Sequence, residues 1–253
     1  MPIYPRARVR LIDRYRPGGS AGGAMPTCHR LVLHTAVSAA PSLFDFFNRP
    51  GNPVAHFYVV ADGSVEQYVN TDRRSSAVLN GNHDAISVET QDKGGPFPEW
   101  SGSNVPAWTK EQVRALAEIA VWCHRHHDIP LHRLISSRPG RKGVGWHRQG
   151  INGNFPRRGL LRGRVPGGEL WSETFGKSCP GDRRIKQIVA EVLPMARRLE
   201  RGPVDPRPLP PRLRRIRRLA RAGLANPHVK APLRAVYESV IRSTHRFRHR
   251  LGP

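Results

Sequence analysis

Residues 55–69 read Ala55-His-Phe-Tyr-Val-Val60, Ala61-Asp-Gly63, Ser64-Val-Glu-Gln-Tyr-Val69. Two runs rich in β-branched and aromatic residues flank an Asp-Gly pair. That pairing is the turn chemistry that folds one strand back on another, so the stretch predicts a β-hairpin. Upstream, Arg30-Leu-Val-Leu-His34 reads as a buried strand that delivers His34 at its C-terminal end. Ser42 to Asn48, with Leu43, Phe46 and Phe47, fits a short helix closed by Pro50-Gly51. Downstream, Ala85-Ile-Ser-Val-Glu-Thr90 is another strand, alternating in character. Thr109 and Gln112 resemble a capping box, opening a helix on which Val113, Leu116, Ile119, Ala120 and Cys123 recur at helical spacing. Asp182 to Leu199 is a second helix, with Ile185, Val189, Val192 and Ala196 on one face.

Between these helices, residues 136–176 are rich in Gly and Arg and have little periodicity. Residues 1–27 read as an irregular leader, ending in the flexible Pro17-Gly-Gly-Ser-Ala-Gly-Gly23. Composition shifts at Gly202. Residues 203–211, Pro-Val-Asp-Pro-Arg-Pro-Leu-Pro-Pro, form a stiff linker, and residues 212–253 are Arg-rich helical segments interrupted by Pro227 and Pro232. The expected organisation is a leader (1–27), a main domain (28–202), the linker (203–211) and a basic helical tail (212–253).

The chain of 253 residues is long enough for one well-buried domain and an appendage. Its 24 Gly and 24 Pro fit a loop-rich globular protein better than a helical bundle. The net charge of +23 implies an anionic partner: cell-wall polymer, membrane surface or nucleic acid. Residues 203–253 carry 13 Lys or Arg against only Asp205 and Glu238, so a fifth of the chain holds nearly half the excess. Cys28, Cys123 and Cys179 are too few, and odd in number, for a disulfide framework. No run approaches the ~20 apolar residues of a membrane span. The first 16 residues are basic without an apolar core, so no signal peptide is read, and synthesis in the cytoplasm is expected.

Chemistry enters through three residues. Zinc prefers nitrogen and sulfur ligands in a tetrahedron, and a catalytic site keeps one position for water. His34 at a strand end, His147 in Gly145-Trp-His-Arg-Gln-Gly150, and Cys179 in Lys177-Ser-Cys-Pro-Gly181 could supply three such ligands. None is diagnostic alone, since a lone His on a strand is more often structural.

The order of segments resembles the type 2 N-acetylmuramoyl-L-alanine amidase family, which includes phage endolysins and peptidoglycan recognition proteins. The matching pieces are Leu31-Val-Leu-His-Thr35, Ala55-His-Phe-Tyr-Val59 followed by Asp62-Gly63, Ile86-Ser-Val-Glu89, and Lys177-Ser-Cys-Pro180. They span roughly residues 28–200. The surroundings of His147 and the stretch Val165-Pro-Gly-Gly-Glu-Leu-Trp171 look like endolysins of actinobacterial phages. The resemblance implies an α/β fold, a mixed central β-sheet flanked by helices, with zinc at one face. It implies His34, His147 and Cys179 as metal ligands, Lys177 as the group stabilising an oxyanion, and Glu89 as the base. The implied substrate is bacterial peptidoglycan, cut at the amide between N-acetylmuramic acid and L-alanine by an enzyme that reaches the wall after release from the host cytoplasm.

Two departures shape the reading. Some phage members carry a catalytic tyrosine just before the residue matching His56; here that position is Ala55, which moves the base role to Glu89. And 31 residues separate His147 from Cys179, against about ten in compact members; the excess is expected to form a substrate-facing loop. His56, Tyr58, His83 and Trp146 are further candidates for substrate contact, each with a core or turn role as the plainer alternative. The same holds for Trp171. His124, His126, His127 and His132 cluster around a helix end and read as a cationic C-terminus. For the tail, an anionic cell-wall polymer or membrane surface is favoured over nucleic acid, because no aromatic residues interleave the arginines, and over a merely solvated helix pair. Two other classes remain open at this level: a non-catalytic peptidoglycan-binding module of the same fold, and a basic nucleic-acid-binding protein. A monomer is expected.

Overall fold

The computed structural model describes residues 2–15, 21–25, 27–94, 105–202, 211–225, 233 and 235–240. Among these are β1 (Arg8–Val9), β2 (Arg30–Leu33), β3 (Phe57–Val59), β4 (Val65–Gln67), β5 (Ala85–Thr90) and β6 (Gly143–Trp146), which form one sheet in the order β1-β4-β3-β5-β2-β6. The 55–69 hairpin supplies β3 and β4, the antiparallel pair; the other neighbouring strands run parallel. The sheet is therefore mixed. All four residues of β2 are buried, as befits a strand covered on both faces of a largely parallel region.

The described helices before Gly202 include α1 (Phe44–Asn48), α2 (Lys110–His127), α3 (Asp182–Gln187) and α4 (Leu193–Arg201), with π-helical Ile188–Val192 joining the last two. The capping box of α2 is formed in both directions. Gln112 N–H donates to Thr109 Oγ1 at 3.0 Å, and Thr109 N–H donates to Gln112 Oε1 at 3.2 Å. Val113, Leu116, Ile119, Ala120 and Cys123 of α2 are buried. The helix expected over 182–199 is thus one run with a widened turn in its middle. Pro194, which has no N–H to give, follows that turn closely.

Two parts of the sheet escape the sequence pattern. Residues 1–27 are not an irregular leader throughout. Arg8 and Val9 pair with Glu66 and Gln67, and Tyr4, Ile12, Tyr15 and Met25 are buried. A two-residue strand is too short to show a period. The 136–176 stretch likewise contains β6, whose Gly143-Val-Gly-Trp has two glycines that dilute the strand signature of Val144 and Trp146. The glycines there answer to close approach. Gly143 has φ +130, and a Cβ on it would lie 2.6 Å from the His132 carbonyl oxygen. A Cβ on Gly145 would lie 2.7 Å from Leu134 Cδ2. The 132–134 segment runs along the outer edge of β6, with Leu134 N–H donating to Val144 O at 2.8 Å and Val144 N–H to His132 O at 2.9 Å.

The chain divides into two compact units, residues 1–197 and 198–253. The second, taken by itself, contains α5 (Pro211–Ala225) and a helical stretch over 235–240; Gly223 of α5 lies against the Tyr237 ring. Residues 203–210 of the expected linker, and Pro227 and Pro232, lie outside the described residues. No described helix is long and apolar enough to cross a membrane.

Candidate metal centre and cleft

Sheet register assembles the site. β5, β2 and β6 are neighbours, with Val88 opposite Leu33 and Leu33 opposite Trp146. The next residue on each strand path is Glu89, His34 and His147. All three therefore emerge at the same C-terminal edge, where parallel sheets place their reactive groups. The His34 and His147 ring centroids are 4.4 Å apart, and His34 Nδ1 is 3.6 Å from Glu89 Oε1. Cys179 arrives from the turn before α3. Arg148 N–H donates to the Cys179 carbonyl at 2.9 Å, and Thr35 N–H donates to Cys179 Sγ at 3.3 Å.

One ligand atom from each of His34, His147 and Cys179 lies within 4.8 Å of the others, and all three residues are buried. Among the described residues, His34 Nε2 and His147 Nδ1 are buried without a hydrogen-bond partner, as is Glu89 Oε2. Each such orphan costs roughly 1–3 kcal/mol if nothing satisfies it. His147 Nε2–H donates to the Trp171 carbonyl at 2.8 Å, which leaves the Nδ1 lone pair free. Two imidazole lone pairs and a sulfur converging in this way fit a metal ion.

The electrostatics agree. Burial, the neighbouring His147 and Lys177 hold His34 well below the usual imidazole range. Burial and then Lys177 bring His147 down to about 3. Both rings are neutral, the state in which they ligate. Burial, with Glu89 adding, pushes the Cys179 thiol up to about 12; a bound cation would reverse that bias. Burial also lifts Glu89 to about 7 against the pull of Lys177.

The site opens into a cleft of about 250 Å³ lined by Glu89, His147 and Lys177. Its lining includes the apolar Phe47, Val54, Leu79 and Trp171, together with Ser172, Glu173 and Thr174 from the long 148–176 stretch. That stretch is pinned by the Ile151–Ser172 bridge and by an ion pair of 2.6 Å between buried Arg30 and Glu169.

Four candidates for substrate contact lie elsewhere. His56 is fully buried, its Nε2–H meeting the Arg73 carbonyl at 2.9 Å and its Nδ1 accepting from Ser87 N–H at 3.0 Å. Both ring nitrogens are spent inside the fold. Tyr58 is buried, and its hydroxyl donates to the Ala40 carbonyl at 2.7 Å. Trp146 is buried at the end of β6. His83 is at the surface, within 3.7 Å of Glu169 and 3.8 Å of Asp84. None of the four lines the cleft. Alternation along β3 cannot say which end of a side chain the fold consumes, so the sequence pattern had no means of separating these from true cleft residues.

Residues 25–181, more than half of the chain, match the family model Amidase_2, described as N-acetylmuramoyl-L-alanine amidase. The chain belongs to that amidase family. No curated protein sequence matches it. Several solved structures are similar. The endolysin amidase LysCS from Clostridium intestinale URNW is 13% identical with a TM-score of 0.48, covering 73% of this chain and 93% of that one. Drosophila peptidoglycan recognition protein SD is 15% identical with a TM-score of 0.44, covering 72% and 94%. The Ph2119 endolysin of a Thermus scotoductus bacteriophage is 17% identical with a TM-score of 0.42, covering 72% and 96%.

Against the amidase motifs, residue-type reasoning missed the supports of the site. Trp171 was weighed only as a stacking or core side chain, whereas its backbone carbonyl fixes the His147 tautomer. Thr35 closes one of the matching pieces without a role of its own, Thr90, Asp92 and Arg184 lie outside them, and only their three-dimensional convergence singles the four out.

Proposed function

We propose that this chain is a zinc-dependent N-acetylmuramoyl-L-alanine amidase acting on bacterial peptidoglycan, in the manner of a phage or prophage endolysin. The observation that carries the reading is the pair of buried, unpartnered imidazole nitrogens converging with Cys179, beside Glu89 and Lys177 at the head of a cleft in a chain of the amidase family. Two nitrogens and one sulfur are a donor set that suits zinc with one position left open. When bound, zinc supplies Lewis acidity, polarising a carbonyl and acidifying water.

The chain's own groups do the rest. Glu89, the carboxylate next to His34, takes the proton of the attacking water and hands it to the departing amide nitrogen. The Lys177 ammonium faces the oxyanion of the tetrahedral intermediate, where one fixed donor in a dry site is worth ~3 kcal/mol. The apolar side chains of the cleft reduce the water around the site, and Ser172–Thr174 border the glycan–peptide chain. A purely recognising module of the same fold has no use for a carboxylate and an ammonium at a metal site.

The deciding experiment is mass spectrometry of purified peptidoglycan after digestion. Free stem peptides with an N-terminal L-alanine are the expected product. New reducing sugar ends in their place would sink the reading.

The proposal extends to the tail and the setting. The chain acts as a monomer, is made in the host cytoplasm and meets the wall after release. The basic 203–253 region holds it there through an anionic cell-wall polymer or membrane surface. Binding of the full-length protein to whole walls should then fall at least ~10-fold between 0.1 and 1 M salt, because screening shortens to ~3 Å. Cleavage of a small neutral muramoyl peptide should stay flat over the same range. A sedimentation assay checks the first and a product assay the second; wall binding indifferent to salt rejects the charged tether.

A further inference from the structure

A buried guanidinium bonds the hydroxyls of Thr35 and Thr90, the residues that follow His34 and Glu89. Arg184 is 1% exposed and enters from α3, the helix that begins just after Cys179-Pro180-Gly181. Its Nε donates to the Pro106 carbonyl at 2.8 Å and its Nη2 to the Gln91 carbonyl at 3.0 Å, which fixes the plane of the fork. Its Nη1 donates to two hydroxyls, Thr35 Oγ1 at 2.8 Å and Thr90 Oγ1 at 2.7 Å.

Each hydroxyl accepts from a cation, so its own proton has to point away from it. Thr35 donates to Asp92, and Thr90 donates to the His34 carbonyl at 2.5 Å. Asp92 also accepts from Val37 N–H at 3.0 Å, holding that β-branched residue at φ +51, where such residues rarely sit. Trp108 lies 5.5 Å from the guanidinium carbon, and its Nε1–H donates to Thr90 Oγ1 at 3.0 Å. Every bond in this network has one workable direction.

The His34–Thr35 segment is therefore gripped at the His34 carbonyl and at the Thr35 side chain. The amide between these two grips is the one that donates to Cys179 Sγ. Donation to sulfur favours thiolate over thiol, and the same grip sets where the His34 ring leaves the sheet edge.

We propose that Arg184 is a positioning residue for the metal centre: through Thr35 and Thr90 it fixes the His34–Thr35 backbone, and so sets both the His34 ring and the hydrogen bond to the Cys179 sulfur. The proposal rests on His34, His147 and Cys179 being the metal ligands. Arg184 touches neither metal nor substrate. Lysine cannot replace it, because an ammonium lacks the planar fork that serves four acceptors in fixed directions.

The test uses the full-length protein with Zn²⁺ and with Co²⁺, whose bond to thiolate gives a near-ultraviolet charge-transfer band. Arg184→Met should keep the far-ultraviolet circular dichroism, bind either metal ~10–100-fold more weakly in chelator competition, and show a weakened or shifted band. Arg184→Lys should recover only part of this. Thr90→Val, nearly isosteric, should cost ~10-fold, and should add little to Arg184→Met because both break one network. A purely structural role would lower the melting temperature of the metal-free protein yet leave metal affinity within about twofold of wild type. That result in both single variants overturns the proposal, and if Arg184→Met does not fold, Thr90→Val alone decides. Failure of the wild type itself to bind either metal overturns the ligand assignment, which is a different outcome from unchanged affinity in the variants.

Discussion

Cys179→Ser is expected to lose bound metal and peptidoglycan hydrolysis together, and His34→Ala likewise. Serine nearly preserves the shape of cysteine, so the 178–181 turn and the bond from Arg148 N–H to the residue-179 carbonyl should survive. What changes is the donor. A hydroxyl is a poor zinc ligand at neutral pH, and a site reduced to two imidazoles rarely retains the ion. Replacing a residue that merely orients a ligand costs ~10–100-fold in metal affinity, so loss of a ligand should cost more than the upper end of that range. His34→Ala also removes the ring beside Glu89 and opens a void at the end of β2, so its circular dichroism has to be compared with wild type before its metal content is interpreted. Elemental analysis of the purified variants and turbidity of a cell-wall suspension give the two readouts. Full hydrolysis by either variant with no metal bound would refute the site.

The legible parts of this molecule were those where one local rule suffices. The Asp62-Gly63 turn between two β-rich runs announced the β3–β4 hairpin. The Thr109–Gln112 box announced α2, and the 3.6-residue repeat gave its buried face. The strand carrying His34 was visible as an apolar run ending in a polar residue, and the strand carrying Glu89 as an alternating run. The convergence of these residues with His147 was visible only through the family resemblance, because no local pattern shows β6 pairing with β2. The glycines that let β6 approach the 132–134 segment also dilute its strand signature. β1 was hidden for the opposite reason: two residues cannot show a period, and its place depends on β4, fifty-odd positions away. For His56 and Tyr58 the core alternative has a plain physical reason. Sequence proximity to a motif suggested cleft exposure, whereas the hydrogen bonds of both side chains are consumed by the Ala40, Arg73 and Ser87 backbone. Arg184 stands out by nothing in the 182–199 pattern, where only Ile185, Val189, Val192 and Ala196 mark a face. Its burial becomes intelligible only beside Thr35, Thr90 and Asp92.

Glu89→Gln is expected to keep the metal and the fold while turnover falls at least ~100-fold, the usual scale for loss of a general base. Glutamine has the volume of glutamate and can still sit beside His34, but it cannot take a proton at neutral pH. Tyr58 offers no substitute. Its hydroxyl is committed to the Ala40 carbonyl, and burial pushes its pKa above the usual phenol range. Near-normal turnover in the variant would therefore assign the base to a group outside β3 and β5. A second measurement separates a perturbed carboxylate from a merely buried one. In the metal-free protein, burial lifts Glu89 to about 7, above its unfolded value near 4.3. Below the unfolded value the side chain is protonated in both states and costs nothing. Between the two values the native state holds the extra proton, so native stability falls as pH rises, and above about 7 the full cost of a buried charge is present. The glutamine side chain of the variant has no charge to bury. The variant should match wild type in thermal stability near pH 4, pull ahead between pH 5 and 7, and remain ahead by roughly 1–3 kcal/mol at pH 8. Paired melts of the two metal-free proteins across that range measure the difference. A difference that does not change with pH would mean that Glu89 titrates alike in the folded and unfolded chain, and would remove the physical basis for a carboxylate held ready to accept a proton near neutrality.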